Sequence, residues 1–355
     1  MIKKNILHVG IDLGTSRTVF SCDNGVRTFV PSYVGYPKDA VSSKLINKEV
    51  VFGEEALKYR MAVDFYKPLD KGVIKYSDAS DSKSESQKIK AYEATKHLLK
   101  HMISLVLDDE PDPDNTIIRG VIGAPALASL KNKTAIIDIS KGIIHDVMVV
   151  SEPFTVAYGL NMLFNTLIID IGAGTVDLCR MHGTMPTEED QITTFKAGDY
   201  IDQLFLDLIR KKYAEANFTL NMVKKFKEDN AAITEKGEQI IIELPVKGKP
   251  IPHDVTYELK TACQAIVPDI VEGIRKLVAS FDPEFQDDLK KNIVLAGGGS
   301  QIIGLKKEIE LYMKETLGYG RVTKVEEPLF AGANGALMLS KDMPDEYWDE
   351  LNLSK

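Results

Sequence analysis

The sequence predicts an α/β protein built from two related lobes, and three observations lead there. Short runs rich in Val and Ile alternate with longer amphipathic segments, the pattern of strands joined by helices. A chain of 355 residues is long enough for about two domains. Finally, the chain repeats itself: Gly10-Ile11-Asp12-Leu13-Gly14-Thr15-Ser16 aligns with Ile168-Ile169-Asp170-Ile171-Gly172-Ala173-Gly174 at an offset of 158, and at that same offset Gly25 meets Gly183. Each copy reads as strand, tight glycine turn, strand, second turn.

In chain order, strands are expected at Ile6–Leu13, Thr18–Cys22, Ile117–Gly123, Asp146–Val150, Thr166–Ile171 and Asn292–Ala296. Ser77–Gln87, with no apolar residue but one alanine, reads as a solvated loop. A helix over Lys88–Leu107 follows, with Leu98, Leu99, Met102, Ile103 and Val106 turned inward. The clearest helix runs from Tyr200 to Ala216, where Ile201, Leu204, Phe205, Leu208 and Ile209 share one face. Asp199 is placed to cap it, with Asp202 three residues on as in a capping box. Pro268 begins a new helix or kinks an existing one.

Composition removes several function classes. With 44 Lys+Arg against 52 Asp+Glu the net charge is −8, the wrong sign for a dedicated nucleic-acid binder. The short basic run Lys224, Lys225, Lys227 is followed at once by Glu228 and Asp229, as on a solvated helix face. Cys22, Cys179 and Cys263 have neither metal-ligand nor redox spacing and read as small core residues in a reducing compartment. The apolar stretch after Lys4 is interrupted by His8 and Asp12, too soon for a signal peptide, and no run reaches membrane-spanning length. The expectation is a soluble, cytoplasmic protein without membrane insertion.

The repeated turns carry chemistry. Small residues let backbone N–H groups converge on a concavity, which is how a turn binds phosphate oxygens. Gly14-Thr15-Ser16 and Gly172-Ala173-Gly174-Thr175 both suit that task. Asp12 and Asp170, each two residues before its turn, would repel phosphates unless a cation intervened, and a hydrated Mg²⁺ meets that need. A third element, Gly297-Gly298-Gly299-Ser300, follows an apolar strand and lets the chain approach a nucleoside closely. Taken singly, Gly14 and Gly172 are also ordinary hairpin glycines, Asp12 and Asp170 turn caps, and Asp199 a helix cap before a ribose ligand. Neither the P-loop nor the dinucleotide fingerprint occurs.

These segments resemble the signature of the superfamily of actin, sugar kinases and heat-shock chaperone ATPases. Gly10–Ser16 and Ile168–Asp177 look like its two phosphate loops, Leu295–Ser300 like its adenosine motif, and Val121–Ala126 and Ala331–Ala336 like its connecting segments. Within it, Val34–Asp39, Val150–Phe154, Lys196–Tyr200, Glu188–Gln191 and Tyr347-Trp348 resemble a bacterial actin-like family that builds filaments along magnetosomes. The resemblance implies an actin-like ATPase fold: duplicated ribonuclease-H-like lobes around a nucleotide cleft, each with a smaller subdomain. On that pattern, lobe I spans 1–150 with a subdomain at about 33–76 and is completed by 330–355. Lobe II spans 151–329 with a subdomain at about 215–265.

It also implies roles. Asp12 and Asp170 would hold Mg²⁺ through water. Gly14, Thr15, Ser16, Gly172, Ala173, Gly174 and Thr175 would contact phosphates. Glu152 would position the attacking water, although residues alone read it equally as a helix-start carboxylate beside Pro153. Gly198, Asp199 and Asp202 would lie on the ribose side, Lys227 and Glu228 beside adenine and ribose, and Gly297, Gly298 and Gly299 against adenosine. The implied partners are further copies of the chain and magnetosome-associated proteins; the implied cofactors are ATP or ADP with Mg²⁺. Rival readings are a metabolite kinase, which needs a second substrate pocket, a chaperone ATPase, which needs a peptide-binding domain, and a membrane-bound cell-shape actin. Trp348, in the acidic stretch Asp342–Glu350, belongs either to a tail docked on the first lobe or to a partner-binding hook.

Overall fold

The computed structural model describes residues 5–77, 85–108, 110–233 and 239–353. The chain forms two compact units, Met1–Leu163 with Leu329–Lys355, and Phe164–Pro328. The division falls at 163/164 rather than 150/151, so the helix that begins at Glu152 belongs to the first unit.

In the first unit β1 (Asn5–Leu13), β2 (Arg17–Cys22) and β3 (Arg27–Pro31) form an antiparallel meander. A three-stranded sheet follows, made of β4 (Val34–Pro37), β5 (Val51–Phe52) and β6 (Val63–Tyr66), with helices α1 (Ala40–Ile46) and α2 (Gly53–Lys58). These elements pack around their own core of Tyr33, Ile46, Val51, Ala56 and Val63. A hairpin of β7 (Leu69–Asp70) and β8 (Val73–Ile74) returns the chain to the main body. Helix α3 spans Glu85–Leu107 and buries all five residues expected to face inward. The loop expected at Ser77–Gln87 is corrected at both ends. Ser77 is buried, with its hydroxyl donating to Asn132, and Glu85–Gln87 are already helical; 78–84 lie outside the described residues. Strands β9 (Thr116–Ala124) and β10 (Asp146–Ser151), separated by helix α4 (Leu130–Ser140), add in parallel to give the order β10-β9-β1-β2-β3. Helix α5 (Glu152–Gly159) closes this stretch.

The second unit repeats the plan. β11 (Phe164–Ile171), β12 (Val176–His182) and β13 (Gln191–Thr194) are antiparallel. Helix α6 (Gly198–Lys212), helix α7 (Leu220–Asn230), a hairpin of β14 (Ile241–Val246) and β15 (Lys249–Asp254), and helix α8 (Thr256–Gln264) come next. Helices α9 (Val267–Ala279), with Pro268 in its first turn, and α10 (Gln286–Lys291) lead to β16 (Ile293–Ala296). Helix α11 (Leu305–Leu317) and β17 (Val322–Lys324) complete the order β13-β12-β11-β16-β17. Both sheets are thus three antiparallel strands extended by two parallel ones, the duplication that the 158-residue repeat predicts. Gly25 and Gly183 hold the same backbone, φ +94° and +93°, a left-handed conformation that glycine tolerates without strain.

The face of α6 differs from expectation. Asp202 and Leu206 are buried with Ile201, Phe205 and Ile209, while Leu204 and Leu208 are only half-buried. The chain then returns to the first unit through α12 (Ala331–Asp342) and α13 (Asp345–Leu353). Trp348 is fully buried, and Arg119 joins this end to the sheet through Asp146 at 3.1 Å and through Asp345. The docked-tail reading therefore holds. Among the described residues no helix is long and apolar enough to cross a membrane, and the three cysteines are free and buried.

Candidate phosphate and nucleoside sites

Pairing register places the residues of the first unit. Asp12 on β1 lies opposite Gly123 on β9, and Gly123 lies opposite Val150 on β10, one residue before Ser151 and two before Glu152. Asp12 and Glu152 therefore lie on either side of the C-terminal end of β9. Gly123 leaves the gap between them clear: a methyl built on it would lie 3.1 Å from Glu152 Cγ. Sequence reasoning gave Gly123 no role of its own, since only the strand order reveals what its missing side chain opens. Glu152 is the first residue of α5, and Thr155 one turn later donates its hydroxyl to the Glu152 carbonyl at 2.7 Å.

The turn after β1 is braced from several directions. Ser32 donates its hydroxyl to the Gly14 carbonyl at 2.7 Å and its N–H to the Ser16 carbonyl at 2.9 Å. Thr15 is buried, and its hydroxyl accepts the Gly72 N–H at 2.6 Å. Gly72 is φ +71°, and a methyl there would meet Pro125 Cδ at 3.0 Å. The hairpin β7–β8 is thus fastened to the turn, a link without any local sequence signal.

The second unit gathers its candidates more tightly. Asp170, next to last in β11, pairs with the more deeply buried Asp177 on β12. Gly172 N–H donates to the Thr175 carbonyl at 2.9 Å, closing the turn. The first two amides of α6 serve that turn: Gly198 N–H donates to the Gly172 carbonyl at 3.1 Å and Asp199 N–H to the Ala173 carbonyl at 2.7 Å. This corrects the capping expectation. The N-cap is Ala197 with no side-chain cap, Asp199 sits inside the first turn, and no Asp199–Asp202 box forms, because distant carbonyls satisfy the leading amides. Asp202 instead lies 2.7 Å from Lys227 Nζ, and burial pushes its carboxyl above the usual range against the pull of that ammonium. Lys227 also donates to the Gly198 carbonyl at 3.0 Å, so it departs from the solvated basic face of its neighbours; Glu228 is exposed.

The triglycine segment wraps the end of β11. Gly297 is φ +73°, and a methyl on it would collide with Asp170 Oδ1 and come within 2.6 Å of the Ile171 carbonyl oxygen. Gly299 is similarly close to the Ile171 side chain. Gly297 therefore sits beside Asp170 and Gly299 beside Ile171, a proximity that sequence order alone does not give. Hard carboxylate oxygens next to amide-lined turns are a donor set that fits Mg²⁺ held through water. Among the described residues no group of three or more His, Cys, Asp or Glu could grip a metal directly.

Comparison with known proteins matches this geometry to a family. The model of the family described as MreB/Mbl protein matches residues 6–346. The chain is 41% identical over 351 residues to the actin-like protein MamK of Paramagnetospirillum magneticum, covering 98% of this chain and 96% of that one. A solved MamK double helical filament superposes with TM-score 0.88 at 40% identity, covering 96% of this chain and all of that one. A non-polymerising MamK variant bound to AMPPNP gives TM-score 0.70 at 41% identity, with the same coverage.

Proposed function

Because the chain belongs to the MreB/Mbl family of actin-like proteins, we propose that it binds and hydrolyses ATP and assembles into filaments of itself. One observation carries the reading: the same strand, carboxylate and amide-rich turn occur at corresponding places in two sheets of identical plan. The AMPPNP-bound MamK variant favours an adenine nucleotide, and the MamK filament favours self-assembly.

In this proposal each turn is a phosphate site of its own unit: Gly14, Thr15 and Ser16 in the first, and Gly172, Ala173, Gly174 and Thr175 in the second. Gly198, Asp199 and Glu228, with Gly297, Gly298 and Gly299, form the nucleoside side. Asp12 and Asp170, each beside its own turn, would hold Mg²⁺ through water, and the ion would neutralise phosphate charge. Phosphoryl transfer to water asks little covalent chemistry of a protein, so positioning dominates. Glu152, across the opening left by Gly123, orients the water and accepts its proton. The narrower assignment is a cytoplasmic filament beside magnetosomes, with magnetosome-associated proteins as partners. It rests on the resemblance of Val34–Asp39 and the other family-specific segments.

Glu152→Ala tests the scheme. Turnover should fall by roughly 10²-fold or more, while ATP-dependent sedimentation of filaments persists. A variant that binds ATP normally yet forms no filaments overturns the separation of roles. Wild-type protein that neither turns over ATP nor sediments with it, alone or with added sugars or peptides, overturns the whole reading.

A further inference from the structure

Lys227 keeps its ammonium inside the second unit. Its side chain is 12% exposed and that of Asp202 only 3%, with 2.7 Å between Nζ and Oδ1. The same nitrogen donates 3.0 Å to the Gly198 carbonyl. Both acceptors belong to the first five residues of α6, whereas Lys227 rides on α7. That stretch of α6 is bonded in its own right to the carbonyls of Gly172 and Ala173. Beyond Lys227, α7 runs into Ala231, whose carbonyl accepts the Ile303 N–H at 3.0 Å, and Ile233 N–H donates to the Ile303 carbonyl at 2.7 Å. Ile303 lies four residues beyond Gly299. One ammonium therefore ties the phosphate turn, through α6, to α7 and the segment expected to face the nucleoside.

Apolar packing holds α7 to the core through buried Val223 and partly buried Met222, Phe226 and Ala231, and the ion pair adds a polar tie from α7 to the start of α6. A solvated pair would contribute little, but a buried one behaves differently: removing one partner strands the other charge away from water.

We propose that Asp202 is a positioning residue rather than a nucleotide ligand. The Asp202–Lys227 pair is a lock that holds α7 and the triglycine segment against the 172–175 turn, and so sets how long a nucleoside diphosphate stays bound. The proposal rests on the ATP reading and departs from the ribose-side role that the family resemblance implies for Asp202 and from the nucleoside contact it implies for Lys227.

The test is release of radiolabelled ADP from the full chain into excess unlabelled ADP, repeated with 2′-deoxy-ADP and 3′-deoxy-ADP. Asp202→Asn should speed release about tenfold or more, by one common factor for all three nucleotides. The KM for ATP should rise by more than kcat falls. Lys227→Met should act likewise, and the double variant should release no faster than the faster single one. Should Asp202→Asn fail to fold, Lys227→Met carries the same comparison across the three nucleotides. A factor that shrinks for either deoxynucleotide makes Asp202 a direct ribose ligand and overturns the lock. Unchanged release makes the pair a plain structural staple and also overturns it, leaving the ATP reading intact. Wild-type protein that retains no ADP overturns both.

Discussion

Gly335 offers a sharp test of how the first unit holds Glu152 in place. It lies within α12 at a crossing with α5, where a methyl would overlap the Thr155 carbonyl oxygen and lie 2.6 Å from its carbon and 3.1 Å from the Gly159 nitrogen. Gly335 does not have a left-handed backbone, so alanine suits its conformation, and helix propensity alone makes Gly335→Ala stabilising by about 1 kcal/mol. Packing argues the reverse. The obstacle is main chain, which cannot swing away, so the helices must part by roughly 1 Å or more to restore ordinary contact. Overpacking of that kind costs about 3 kcal/mol, leaving a net loss of about 2 kcal/mol. For a unit of this size that corresponds to a fall in Tm of about 4–8 °C. Because Thr155 stands one turn from Glu152, the same displacement moves the proposed base, and errors of about 1 Å can cost 10²-fold in rate.

Gly332→Ala is the control. It lies in the first turn of the same helix, yet its methyl would meet nothing closer than Asp12 Oδ2 at 3.5 Å. Thermal denaturation and phosphate-release assays on the two variants should therefore diverge. Gly335→Ala loses stability and turnover, and Gly332→Ala keeps or gains stability. A Gly335→Ala protein with wild-type or higher Tm would refute the close-packing argument, since propensity would then have decided the outcome.

Further outcomes follow from other parts of the chain. Trp348→Ala should destabilise the first unit by about 3–5 kcal/mol in chemical denaturation, and Trp348→Phe by less, because the buried indole N–H has no hydrogen-bond partner among the described residues. Equal losses for the two would contradict that. Asp170→Ala should weaken Mg²⁺-dependent ATP turnover, and wild-type activity in that variant removes the metal assignment. Asp190 gives a pH signature: burial raises its pKa, but hydrogen bonds from the Thr187 N–H, Arg180, His182 and the Thr187 hydroxyl outweigh that and bring it down to about 2. A depressed carboxylate stabilises the fold fully above its ordinary value near 3.8 and loses that contribution as pH falls through about 2. The stability gap between wild type and Asp190→Asn should accordingly close between about pH 4 and pH 2. A gap that stays constant across that interval would show that the carboxylate's charge is not what matters there.

The division between what sequence revealed and what it hid follows the range of the interactions. Repeat spacing is a property of the chain itself, so the two hairpins, their glycine turns and the matched left-handed glycines at 25 and 183 could be read directly. Strand runs from Val and Ile were equally legible, because burial on both faces leaves a continuous apolar signature. Asp199 shows where such reading stops. A cap is a local inference, and locally Asp199 is a good one, but the carbonyls of Gly172 and Ala173 had already satisfied the leading amides of α6 from a different strand turn. Asp202 and Lys227 likewise read as a second cap residue and one of three lysines on a solvated helix face until α6 and α7 brought them to 2.7 Å. Asp190 stands in an acidic run that invites a solvated reading, yet Arg180 and His182 on the preceding strand enclose it. Gly123 and Gly335 are the extreme case, because their contribution is the room left by an absent side chain, and room exists only once two elements have met. Motif spacing therefore locates groups that touch a ligand, whereas residues that hold those groups in register emerge only from packing. Asp202 crosses that line: its motif position suggests a ligand, and its packing assigns it the lock.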